Sequence, residues 1–92
     1  MLDASQAVNL DANNAIAYTA RSMARAFTKD FRGALEDANR AMQINPTNSD
    51  NYFVRGVAKM GLGDGVGGCG DLQTAANLGS AEARTTYQQL CR

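Results

Sequence analysis

One spacing constrains this chain more than any other property: residues recur at intervals of 34 positions. Asp3, Asp37 and Asp71 fall on it, as do Ala7, Ala41 and Ala75 and the aliphatic series Leu10, Ile44 and Leu78. Between residues 15–48 and 49–82, the pairs Tyr18/Tyr52, Arg21/Arg55, Ala24/Ala58, Asp30/Asp64 and Gly33/Gly67 raise the identities to seven in 34 positions, against roughly two or three from average usage. A period of this length marks supersecondary units that cannot bury their apolar faces alone and must stack on one another.

Inside each period, apolar or small residues return at three and four positions, and turn-forming residues interrupt them at Asp11–Asn14, Lys29–Asp30, Asn45–Asn48, Gly61–Gly65 and Gly79–Ser80. That is helical spacing broken by turn chemistry. Asn45-Pro46 stops one helix, because the residue before proline is pushed out of the α region and proline cannot donate to the preceding turn. Ser49 is the expected cap of the next helix. The pattern predicts about six helices, near 1–10, 15–28, 31–44, 49–61, 66–78 and 81–91, and no strand. The fold class is all-α, an α-solenoid of antiparallel helix pairs in one domain spanning residues 1–92. Its parts are the second half of a preceding repeat (1–14), two repeats (15–48 and 49–79) and a capping helix (80–92).

These residues resemble the tetratricopeptide repeat, whose helix pair carries an aromatic residue, a small residue, an alanine in each half of the second helix and a closing proline. Tyr18 and Tyr52 stand for the aromatic, Ser22 and Gly56 for the small residue, Ala34 and Gly68 for the first alanine, Ala41 and Ala75 for the second, and Pro46 for the proline. Departures are Arg21 and Arg55 in place of leucine, Arg25 and Lys59 in place of an aromatic, Ala38 in place of phenylalanine, and Ala12 and Ser80 where proline closes other units. The last repeat is similar to terminal repeats of bacterial members. The resemblance implies a right-handed solenoid whose first helices line a concave groove that binds a peptide or helix of a partner protein.

Residues 1–10 read as the second helix of a pair whose first is missing, leaving Leu2 and Val8 to be covered. Two readings stand: a longer array of which this is a part, or another molecule that supplies the helix. The second would make the chain a self-assembly module, joined into homo-oligomers through that helix and the apolar stripe described below.

Composition narrows the chemistry. Nine Lys plus Arg balance nine Asp plus Glu with no run of like charge, so there is no electrostatic footprint for nucleic acid or anionic lipid. No apolar run is long enough to insert in a membrane, and Met1-Leu2-Asp3 has neither the basic start nor the apolar core of a secretory leader. Histidine is absent and the cysteines number two, which leaves no zinc set of Cys and His and no base beside a nucleophile. No catalytic, metal or cofactor residue is expected, and the chain reads as a non-enzyme. Gly63 to Gly68 form a G-x-G-x-x-G, but a helix rather than a strand precedes it and Asp64 lies inside it, so it reads as a turn and helix start.

The stripe with functional potential lies on the first helices: Ile16, Thr19, Met23 and Phe27 in one repeat, Phe53, Val57 and Met60 in the next. Tyr18, Ser22, Tyr52 and Gly56 lie on another face and pack within each pair, which leaves the stripe partly surplus to the core. It is then either a partner site, for which methionine is well suited, or a surface covered by loops and cap. Antiparallel pairing also brings Arg21 level with Asp37 and Arg55 level with Asp71, as structural ion pairs; capture of a ligand carboxylate by Arg25 or Lys59 is the alternative.

The Gly79-Ser80 turn sets helices 66–78 and 81–91 side by side. Cys69 lies nine residues before the end of one and Cys91 ten after the start of the other, so at ~1.5 Å per residue the two are about one step apart along the axis. Either they are bridged, implying a periplasmic or extracellular home, or they are buried free thiols suited to the cytoplasm. The sequence leaves the compartment open.

Overall fold

The computed structural model describes residues 14–91. Five helices occupy them: α1 (Ala15–Phe27), α2 (Phe31–Ile44), α3 (Ser49–Gly61), α4 (Gly65–Asn77) and α5 (Ala81–Leu90), with no strand among the described residues. The sixth helix expected, near residues 1–10, lies outside them, as do Leu2 and Val8.

Each helix starts where a short polar side chain satisfies free backbone amides, since the first turn has no carbonyls to bond. Asn14, Asp30, Asp64 and Ser80 accept from the amides of Ala17, Gly33, Gly67 and Ala83, three residues on. For α3 the cap is Asn48, which accepts from Asp50 N at 2.9 Å, and not the expected Ser49, which is already helical. The caps Asn14 and Asn48, like Asp30 and Asp64, sit one period apart, so the repeat includes its own start signals. At the other end of α2, Asn45 is extended (φ −134°, ψ 92°), as a residue before proline must be.

The helices stack in chain order, α1 on α2, α2 on α3, α3 on α4 and α4 on α5, with a further contact of α1 on α3. The result is elongated, 41 × 23 × 22 Å. Its core is a chain of small clusters rather than one centre: Ala17, Tyr18 and Ala41; then Ala34, Ala38, Val54 and Ala58; then Leu72, Ala75 and Ala83. Alanine dominates because the helix backbones approach closely. The limit is reached where α3 crosses α4, since a Cβ on Gly56 would stand 2.8 Å from the Gly68 carbonyl oxygen and one on Gly68 2.7 Å from that of Gly56. The corresponding residues of the previous repeat, Ser22 and Ala34, are fully buried and keep their side chains.

Candidate functional site: an apolar hollow between the first helices

The charged residues that face inward are spent inside the repeats. Asp37, buried, receives Arg21 through both carboxylate oxygens at 2.7 Å and Arg25 Nη1 at 3.1 Å. One repeat on, Asp71 receives Arg55 at 2.8 and 3.0 Å and Lys59 Nζ at 3.0 Å. Two cations one helical turn apart thus close on one carboxylate in each pair. Arg25 and Lys59, considered as captors of a ligand carboxylate, are both engaged in this way. Arg55 also reaches Asn39 Oδ1 at 3.1 Å, tying α2 to the pair formed by α3 and α4.

These contacts set the local acid–base properties. Burial pushes the Asp71 carboxyl up, but hydrogen bonds from Arg55 and Lys59 outweigh it and hold the group below its ordinary value. Arg21 and Arg55 are raised by their bonds to Asp37 and Asp71, against the opposing effect of burial. The guanidinium groups of Arg21 and Arg55 also stand 6.0 and 5.5 Å from the ring centres of Tyr18 and Tyr52.

Between the first helices the open surface is apolar. Met23, Ala26 and Phe27 of α1 and Phe53, Val54 and Val57 of α3 line a hollow of about 280 Å³. Phe27 is 91% exposed and Met23 43%, whereas Phe53 and Val57 also lean on the core beneath. Four members of the predicted stripe, Met23, Phe27, Phe53 and Val57, therefore meet in one place. Three do not. Thr19 is buried, its hydroxyl 2.9 Å from Ala15 O and 2.6 Å from Asn51 Oδ1, so it links α1 to α3 beneath the surface, and Ala20 takes the exposed position beside it. Met60 turns onto α4, where its side chain fills the space left by Gly68. Ile16, 79% exposed, lies at the start of α1 and does not line the hollow.

Ala26 and Val54, which sequence reasoning missed, complete the lining. Val54 is three residues before Val57 and so shares its face, a spacing that pointed to it; what decides between Val54 and Met60 is that α3 has α1 on one side and α4 on the other. A second, shallower depression, lined by Phe53, Ala81, Glu82, Thr85 and Thr86, lies across the Phe53 ring from the hollow.

Elsewhere, the N-terminus of α4 is closed by its own residue. Asp64 Oδ1 accepts from Gly67 N at 2.8 Å, so a carboxylate occupies the position a phosphate would need in the G-x-G-x-x-G segment. Cys69 and Cys91 are joined in a disulfide between α4 and the end of α5, with Cα atoms 5.7 Å apart. No helix among the described residues is long and apolar enough to cross a membrane.

Stacked helix pairs with an apolar hollow between their first helices define a helical-repeat scaffold. Comparison with known proteins gives the family. No protein-family profile matches the chain. It is 36% identical over 96 residues to tetratricopeptide repeat protein 36 of Bos taurus, covering 94% of this chain and 51% of that one. It is 32% identical over 87 residues to serine/threonine-protein phosphatase 5 of Rattus norvegicus, 92% of this chain and 17% of that one. Over 60 residues it is 38% identical to the heat shock protein sti1 homolog of Schizosaccharomyces pombe, 65% of this chain and 10% of that one. The fold is similar to that of the Arabidopsis OM64 TPR domain, with a TM-score of 0.87 at 27% identity over 96% of this chain and 74% of that one. The chain belongs to the tetratricopeptide repeat family and is a protein–protein interaction module. It spans between a tenth and about half of the length of these curated relatives, and the similarity to the phosphatase brings no catalytic activity with it.

Proposed function

We propose that the chain holds a segment of a partner protein in the groove between α1 and α3, seated on the hollow of Met23, Phe27, Phe53 and Val57. The observation that carries this is the exposure of Phe27 and Met23 beside a hollow whose lining is wholly apolar, while the inward-facing charges of both repeats are paired with one another. An apolar surface left open in this way is stabilised by a partner that removes it from water.

The test is a random-peptide selection on the chain, followed by binding of the enriched peptides to a Met23→Ser/Phe27→Ser variant. Both side chains are largely outside the core, so the helical signal and melting temperature should stay unchanged while binding is lost. Equal binding by the variant would move the site elsewhere. The self-assembly reading joins residues 1–10, outside the described residues, with the same apolar stripe; light scattering over a range of concentrations separates it, since a peptide-binding monomer keeps a constant mass.

A further inference from the structure

The groove's unpaired charge is acidic, and this specifies its occupant. Four cations of the first helices, Arg21, Arg25, Arg55 and Lys59, are drawn to Asp37 and Asp71 on the inner side of the pairs. None lines the hollow or the neighbouring depression. Glu82 does line that depression, is exposed, and has no cationic partner among the described residues. Asp50, also exposed and unpaired there, lies one turn before Phe53 on α3 and so on the same side of the helix. Arg84, the nearest cation in sequence, is about 130° around α5 from the middle of the face that carries Ala81, Glu82, Thr85 and Thr86, at 100° per residue. The Phe53 ring divides the apolar hollow from the acidic depression and belongs to the wall of both.

Building on the groove reading above, we infer that the partner segment is basic and apolar together: one bulky aliphatic or aromatic side chain enters the hollow, and a lysine or arginine a few residues away crosses Phe53 to meet Glu82. A segment ending in acidic residues or a free carboxylate is disfavoured, because it would bring negative charge to Glu82 and Asp50 with no cation among the residues that line the hollow or the depression to receive it. The cation stem would pack along the Phe53 face while its head stays in water beside the carboxylate.

Peptides enriched by selection on the full chain supply the probe. The expected consensus is a bulky apolar position followed or preceded within a helical turn or two by Lys or Arg. Replacing that basic residue by Glu should weaken binding about three- to tenfold, an effect that shrinks in high salt, and a Glu82→Lys chain should reverse the preference. A consensus rich in Asp and Glu, or a basic residue whose replacement costs the same on the wild-type and Glu82→Lys chains, overturns this inference. Either result leaves the groove reading standing provided Met23→Ser/Phe27→Ser still abolishes binding. Loss of that dependence, or no enrichment at all, removes the groove reading and this inference with it.

Discussion

Single residues in this protein are constrained by how near the next backbone stands, which separates two glycines of one helix. On α4, a Cβ at Gly68 would run into the Met60 side chain and the Gly56 carbonyl, whereas one at Gly70 meets nothing within 4 Å. Gly68→Ala should therefore destabilise by about 1–3 kcal/mol through overpacking, and Gly70→Ala should stabilise by about 0.5–1 kcal/mol, because alanine loses less backbone freedom on folding. Urea melts of the two variants check this; equal effects would mean that α3 and α4 do not cross at these residues. Asp71 makes a second statement at this scale. Its carboxyl is held below its ordinary value, so its contribution to stability is complete above the ordinary aspartate range near ~3.9 and is lost as pH falls through the lower folded-state value. Asp71→Asn should be less stable than wild type at neutral pH, with the gap narrowing as the solution is acidified. A gap that stays constant would show that Arg55 and Lys59 do not hold the carboxylate.

At the level of helices, much was legible because the repeat carries its own boundaries. The five helices described begin and end within one residue of the spans read from periodicity. The exception at Ser49 is instructive: Asn48 and Ser49 are both good caps, and spacing alone cannot say which of two neighbours leaves the helix. The groove was legible only in part for a related reason. Periodicity shows which side chains share a face, but the circumference of α3 is divided between α1 and α4, and that division sends Met60 inward and Val54 to the hollow. Thr19 and Ala20 likewise differ by one position, and the polar contact to Asn51 that buries Thr19 has no signature in either helix alone. The turn between α1 and α2 offers a test at this level. Lys29 adopts a positive φ of 67° where the next repeat has Gly63, at 93°. Lys29→Gly should stabilise by about 0.5–1 kcal/mol, since the left-handed strain on a side chain exceeds the added flexibility of glycine in the unfolded chain. A fall in the melting temperature would count against this turn geometry.

Across the described residues, the core is three linked clusters rather than one, so stability is close to a sum of neighbouring contacts, and α5 packs chiefly on α4. The C-terminal pair is intrinsically weak. α4 contains four glycines among its first six residues, and α5 buries little apart from Ala83. Glycine costs about 1 kcal/mol per helical position relative to alanine, so α4 depends on its Asp64 cap and on what is tied to it. The Cys69–Cys91 bridge supplies such a tie: it joins the glycine-rich turn of α4 to the C-cap residue of α5, across a sequence separation of 22. Closing a loop of that length removes unfolded-state entropy equivalent to about 3 kcal/mol. The gain should appear locally before it appears globally. On reduction, amide hydrogen exchange in α4 and α5 should speed up first, while α1, α2 and the N-terminal half of α3, whose contacts lie on the other side of the Gly56–Gly68 crossing, should change less. Equal acceleration along the chain would mean that the protein opens only as one cooperative unit. Thiol counting on the native protein under denaturing, non-reducing conditions sets the starting point. No free thiols are expected from protein matured in an oxidising compartment, and two per chain would remove the bridge and leave the glycine-rich end supported by packing alone.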